Sequence, residues 1–439
     1  MNQEFTVRAR GKTSVDKYSQ QEKMEDKEQT TNSEQTLSDS KQSLPETHGS
    51  NGYSIRTIVF VTHFNIFLYS TCFWIQLGTL PYLSKKLGVD PVMFGYLQTT
   101  FAVVQLMGGP LYGRFGDLFG CRAAMMLAFI ASSTTYLLLA FANSIPLLFI
   151  SRLPSIFMHA MQGGQMIVTD VVDTSDRAGA LGKLGVSYGI GMVIGPFIGG
   201  LVTKFLGEQT AAFASFSGSV LSILLVLRFI PTHTKHVHPS ESSGQSVFDV
   251  KKFLSIIVAP GALFLLGIRI AAGIPIGVFQ SMFSVVALET FKLPADQNGY
   301  LMSYIGILTM IVQGVGVGVL TKKYSENSIL KWAAFILTWA YLLLAYVTDI
   351  LQLCLVCVPL VMGLASKNIV ISSGLTRTVS DADTGAMLGL NMAVNSLIRS
   401  VSPTIGGIML SKFGFASFGY LGFVMTGLVT CIIFLKLRD

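Results

Sequence analysis

In the apolar stretch "LLFISRLPSIFMHAMQ", Arg152, His159 and Gln162 are spaced so that one face of a helix would carry all three. A histidine there takes up and releases a proton near neutral pH, and it reads equally well as a neutral side chain hydrogen-bonded inside a bundle. Asp170, a carboxylate within the same hydrophobic run, completes a set of proton-coupling candidates with Arg152 and His159. Further along, "LLGIRIAAG" places Arg269, and "NSLIRSVSP" places Arg399 with Asn395 one turn before it. With Gln162 and Tyr304 these residues are candidate substrate contacts; His63 and Asn65 add weaker polar candidates. Lys367 in "GLASKNIV" lies toward one end of its run, and either snorkels to water or turns into the protein. Each such group costs at least a few kcal/mol in hydrocarbon unless it faces a cavity or a partner, so these positions mark a path for ions or solute. Cations outnumber acids along it, which on electrostatics alone favours an anionic or zwitterionic solute.

What must position these residues is a set of membrane-spanning helices. The chain has 439 residues, 51% hydrophobic and 13% charged, with a mean hydropathy of +0.57; soluble domains carry about twice that charge. With ~20 apolar residues needed to cross ~30 Å of hydrocarbon, about twelve spans can be drawn. They run over 57–80, 92–113, 123–142, 145–171, 185–202 and 211–230, then 264–288, 299–320, 329–347, 351–372, 387–410 and 418–435. Residues 1–53 are polar and nearly free of aromatics, too poor in apolar surface to offset their ordering entropy, and are expected to form a disordered cytoplasmic tail. No short apolar run with a cleavage site opens the chain, so insertion is expected to begin at the first span. Residues 231–252, including "THTKHVHPSESSGQSVFD", read as a cytoplasmic linker between bundles at 54–230 and 253–439. Lys and Arg collect on one set of connections, which by the positive-inside rule puts both termini in the cytoplasm.

The two halves repeat each other. "FGYLQTTFAVVQ" from Phe94 matches "NGYLMSYIGILTM" from Asn298, and "AGALGKLGVSYGIGMVIGPFIGG" from Ala178 matches "GAMLGLNMAVNSLIRSVSPTIGG" from Gly385. Pro196 thereby corresponds to Pro403, and Gly199 and Gly200 to Gly406 and Gly407. Parallel repeats of about six spans are the trace of a carrier whose halves rock about a midplane site. The expected fold is therefore all-α: about twelve transmembrane helices in two pseudo-symmetric bundles of about six.

Two motifs sharpen this reading. "GGPLYGRFGDLFGCR" sets Gly113, Asp117, Gly120 and Arg122 in a tight loop between two spans. It resembles the signature loop G-x-x-x-D-x-x-G-x-[RK] of the major facilitator superfamily. Gly182, Gly191, Gly195, Pro196, Gly199 and Gly200 fit that superfamily's fifth-helix pattern, which goes with antiporters. The resemblance implies that Asp117 latches onto the start of the eleventh span near Met387–Leu390, with Arg177 in the same charge cluster. It also implies that the fifth-helix glycines pack against the opposite bundle. The stretches "LPYLSKKLG", "SRLP", "MHAMQ", "QMIVTD" and "DTGAMLGL" resemble the organic cation transporter-like branch of solute carrier family 22. That resemblance implies proton-coupled antiport, exporting organic cations and drugs from the cytoplasm across the plasma membrane or an internal membrane.

The expected partners are a small organic solute, protons and the lipid bilayer, for a monomer that binds no nucleic acid. No metal or cofactor is expected: Cys354 and Cys357 have no histidine or second cysteine pair nearby. Nor does a nucleotide loop, a GxSxG or HExxH signature, or a working pair of acids point to an enzyme. A transporter-shaped scaffold or sensor acting through its tail is the alternative of another class.

Overall fold

Hydrocarbon offers the backbone no hydrogen-bond partner, so a spanning chain must satisfy its own amides, and it does so here with helices. The computed structural model describes residues 54–232, 261–379 and 384–436; the tail at 1–53 and most of the linker at 231–252 lie outside them. No strand occurs among the described residues. The first half holds α1 (Ile55–Lys86), α2 (Pro91–Phe119), α3 (Cys121–Ala140), α4 (Ile145–Ile150), α5 (Ala160–Val171), α6 (Thr174–Leu206) and α7 (Glu208–Phe229). The second holds α8 (Ala262–Glu289), α9 (Ala295–Ile311), α10 (Val317–Lys323), α11 (Glu326–Ala345), α12 (Ile350–Thr376), α13 (Thr384–Phe413) and α14 (Ala416–Lys436). Since α4 with α5, and α9 with α10, are interrupted rods, the described residues form twelve rods. Among the described residues, nine helical stretches are long and apolar enough by themselves to cross a membrane. Below, the face at which α1 begins is the near face and the other the far face.

The fourth rod departs from expectation. A short 3-10 turn at Leu153–Phe157 separates α4 from α5, because Pro154 has no amide hydrogen to donate and restricts the residue before it. Unwound backbone at membrane depth survives only where protein or a cavity surrounds it. Here the freed carbonyl of Met158 accepts from the Tyr69 hydroxyl at 2.8 Å and from Gln105 Nε2 at 3.3 Å. Arg152, His159 and Gln162 therefore do not share one helical face: Arg152 precedes the 3-10 turn, His159 caps α5, and Gln162 lies in its first turn. The eighth rod is loosened by a π segment at Val312–Gly316, where glycine is frequent.

The halves meet along two seams of small residues. Gly95 of α2 packs on Pro403 and Thr404 of α13, and Gly407 of α13 on Pro91 and Val92 of α2. Gly299 of α9 packs on Pro196 of α6, and Gly200 of α6 on Ala295 and Asp296 of α9. Glycine is required at these points because a Cβ would strike the neighbouring backbone, and such close approach is how helices associate in lipid.

The glycine pattern of α6 is thus split between two faces. Gly191, Gly195 and Gly199, one turn apart, pack on Phe67, Ser70, Thr71, Trp74 and Ile75 of α1, in their own bundle. Pro196 and Gly200 are rotated by about 100° and meet the second bundle. The expectation that the whole pattern faces the opposite bundle is corrected accordingly.

Candidate functional site

On the far side, ion pairs join the two halves. Lys204 at the end of α6 meets Asp296 of α9 at 2.7 Å, and Lys85 of α1 meets Glu289 of α8 at 3.0 Å. The Tyr82 hydroxyl donates to the Leu293 carbonyl, and Asn298 Nδ2 to the Gly78 carbonyl. In the α2–α13 seam, Thr99 and Thr404 share a hydroxyl–hydroxyl hydrogen bond at 2.8 Å. Toward the near side the contacts give out: a Cβ on Gly179, Gly182 or Gly185 of α6, or on Gly389 of α13, would meet no atom within 4 Å. The far face is closed, and the glycine-bearing faces at the near ends of α6 and α13 meet no described residue.

The superfamily-type latch accordingly is not docked. Asp117 is exposed and shares a near-side cavity of about 260 Å³ with Gly116, Cys121, Gln162, Thr169 and Asp170. Met387, its expected target, is buried in the second bundle's own core beside Leu266 and Ile371, with Leu390 packed against it. Arg122 donates from Nη2 to the Leu227 carbonyl of α7, a contact within its own bundle. Gly113 faces Gln162 Nε2, Gly120 turns the chain between α2 and α3 at a φ of 86°, and Arg177 is half-buried at the near end of α6.

The first bundle encloses polar groups without mates. Arg152 is 5% exposed, and its Nε and Nη2 have no hydrogen-bond partner among the described residues. Its guanidinium stands 5.8 Å from the centre of the Phe101 ring. Asn65, Tyr112, Tyr136 and His159 each bury a polar atom likewise unpartnered, and the His159 and Tyr112 rings lie 5.5 Å apart. Asp170 is some way off toward the near face, where it accepts from the Cys121 thiol at 3.0 Å. The proton-coupling candidates thus separate into Arg152 and His159 in the interrupted rod and Asp170 beside the near-side cavity.

In the second bundle Arg269 ties three helices together: its Nε donates to Asn395 Oδ1 of α13 at 3.1 Å and its Nη1 to Ser372 Oγ of α12 at 3.3 Å. Arg399 is exposed, one turn beyond Asn395 on α13. Tyr304 spends its hydroxyl on the Cys354 carbonyl at 3.1 Å. Lys367 does not snorkel; it is 2% exposed. Tyr112, Tyr136 and Ser372 are polar residues that spacing does not single out, whereas Lys367 is named by its charge with two placements open. Tyr136 sits in an ordinary "SSTTYLLLA" run.

The sequence profile of the Major Facilitator Superfamily matches residues 62–374. The chain belongs to the major facilitator superfamily. It is 39% identical over 386 residues to the rat (Rattus norvegicus) solute carrier family 22 member 18, covering 86% of this chain and 94% of the relative. Multidrug resistance protein 1 of Bacillus subtilis (strain 168) is 23% identical over 347 residues, 79% of this chain and 87% of the relative. Among solved structures, the nucleoside transporter NupG superposes with a TM-score of 0.68 at 15% identity, covering 87% of this chain and all of NupG. The major facilitator chain is therefore a multi-pass membrane transporter and not an enzyme. Its two polar clusters, around Arg152 and Arg269, lie one in each half of the chain.

Proposed function

We propose that this protein is a proton-coupled antiporter that exports small organic solutes by alternating access, with its near face and both termini in the cytoplasm. The observation that carries the reading is the duplicated seam, closed on the far side by equivalent residues of the two halves while the glycine-bearing faces at the near ends of α6 and α13 meet no described residue. A hinge of that form rocks without breaking helices. Residues 54–230 and 253–439 are the moving bundles, and 231–252 joins them. When the near face closes, Asp117, framed by Gly113, Gly120 and Arg122 and joined by Arg177, docks at the start of α13. Arg152, His159 and Asp170 serve proton coupling; Gln162, Arg269, Tyr304, Asn395 and Arg399 contact the solute.

The multidrug-resistance name of the Bacillus relative supports an organic solute, and the branch resemblance supports a cation. The charges support a second reading. The interior of the second bundle carries Arg269 and Lys367, with Arg399 exposed on α13, whereas its described acids Glu289, Asp296, Glu326 and Asp349 stand at helix ends. An anionic or zwitterionic solute fits that distribution.

Reconstituted vesicles loaded with a fluorescent organic cation (a rhodamine) or anion (a fluorescein) test both. Export is expected to follow an imposed pH gradient and to fall with Arg152→Ala. Export indifferent to the gradient and intact in that variant overturns proton antiport, and the dye that moves decides the charge.

A further inference from the structure

Lys367 is among the largest fully buried side chains of the protein, deep in α12. Its ammonium has the Ala272 carbonyl of α8 at 3.4 Å, a long contact for a charged donor. Three residues before Ala272 on α8 stands Arg269, a cation of the same sign, buried and bonded to Ser372 of α12, the helix that carries Lys367. Arg269 is held in turn by neutral groups, Asn395 and Ser372.

Among the described residues, the other elements packed on α12 bring no acid to this place. From α9 comes Tyr304, whose hydroxyl is bound to the Cys354 carbonyl, more than three turns away along α12. The charged residues of α10 and α11, Lys322, Lys323, Glu326 and Lys331, stand at the near end, where Glu326 pairs with Arg377 at 2.9 Å. α13 contributes the amides of Asn391 and Asn395, and the Asn391 Oδ1 is buried without a partner. Of the remaining acids, Glu289 and Asp296 are engaged with lysines at the far face and Asp349 caps α12.

Two adjacent buried cations with only neutral partners are a costly arrangement. Arginine keeps its proton at any accessible pH, whereas a buried lysine can lose one. We propose that Lys367 is a proton-binding site of the transport cycle, alternating between ammonium and amine as it gives one proton to water and takes one back. This rests on the alternating-access reading above. Arg269 is the link to the moving parts, because Asn395 belongs to α13, which carries the Pro403 and Gly407 seam. Any tilt of α13 that moves Arg269 changes its repulsion of Lys367. By linkage, the proton on Lys367 then biases the conformation in return.

The test is a spin-label distance between Gly185→Cys and Gly389→Cys on the near side, with Cys354 and Cys431 replaced by alanine, in lipid nanodiscs over a pH series. Between about pH 6 and about pH 9 the ratio of open to closed near faces is expected to change about tenfold in the otherwise native protein. Lys367→Gln is expected to hold the high-pH ratio and Lys367→Arg the low-pH ratio, both without pH dependence. Asn395→Asp, which leaves Lys367 in place and sets a carboxylate beside Arg269, is expected to move the midpoint to higher pH; it also serves if Lys367→Gln fails to fold. The proposal is overturned if the native ratio ignores pH, if Lys367→Gln keeps the native pH dependence, if both Lys367 variants move the ratio the same way, or if Asn395→Asp leaves the midpoint in place. A single distance under all conditions, including in Asp296→Asn, would remove alternating access itself and this proposal with it.

Discussion

Gly95 sits against the backbone of Pro403, so close that a Cβ would lie 2.5 Å from the proline carbonyl oxygen. The same relation recurs between Gly299 and Pro196, which occupy the matching places in the other halves of the repeat. Each proline also removes an amide hydrogen from its helix and bends it, so the point of closest approach is also a point of curvature. A joint built twice about a pseudo-twofold axis lets one bundle tilt on the other while both seams stay engaged.

Substituting Gly95→Val or Gly299→Val should therefore open the far face. Overpacking of this kind costs about 1 to 3 kcal/mol, enough to shift a two-state ratio about tenfold or more. The measurement is labelling of a cysteine introduced at the far ends of α2 or α9, which should become faster in both variants. If either leaves far-side labelling unchanged, that seam is not what holds the face shut.

The near side predicts the reverse. Gly182 is exposed and nothing lies within 4 Å of a Cβ there, so Gly182→Ala removes a weak helix former without a clash. It should favour the described conformation, with a helix gain of up to about 1 kcal/mol, and slow any step in which α6 must pack closely at its near end. Higher melting temperature with slower vesicle export is the expected pair of results. Faster export would mean that Gly182 never enters a close contact in the cycle.

Lys204 and Asp296 offer a cleaner separation of charge from packing. Asp296 is buried and Lys204 is half exposed, so the pair locks the far face from one side. Asp296→Asn or Lys204→Gln alone should increase far-side cysteine labelling, and the exchange Lys204→Asp with Asp296→Lys should restore it in part. Raised salt should weaken the native pair and shrink the difference between native and variant protein. A double exchange that behaves like the sum of the two single changes would show that the pair does not act as a unit.

The fold was legible because hydrocarbon permits few alternatives: apolar runs of span length become helices, and the halves betray their repeat through Pro196 and Pro403. The polar site was less so. Arg152 and His159 were placed on one face by assuming a continuous helix, and a single proline breaks it. The α6 glycines were assigned to one partner because spacing marks a face as small without saying which neighbour covers it. Lys367 illustrates a further limit, since a lysine near the end of a span snorkels or turns inward according to what neighbouring helices leave open, and α8 leaves it the Ala272 carbonyl.

Arg152 allows stability and function to be set against each other. It is buried, its guanidinium stands over the Phe101 ring, and its Nε and Nη2 have no acceptor among the described residues, so the native fold bears a desolvated charge. Replacing such a charge by an apolar chain of similar length is often neutral or stabilising by about 1 to 4 kcal/mol. Arg152→Met should accordingly melt at the native temperature or above it. If Arg152 serves proton coupling, the same variant should lose gradient-driven export by about tenfold or more, the signature of a group used in the cycle and not in the fold. Arg152→Lys keeps the charge but not the planar fork, so partial export there would assign the role to charge, and none would assign it to guanidinium geometry. A variant that melts well below the native protein while exporting normally per folded molecule would make Arg152 a packing residue and leave His159 and Asp170 to carry the first bundle's share of the coupling.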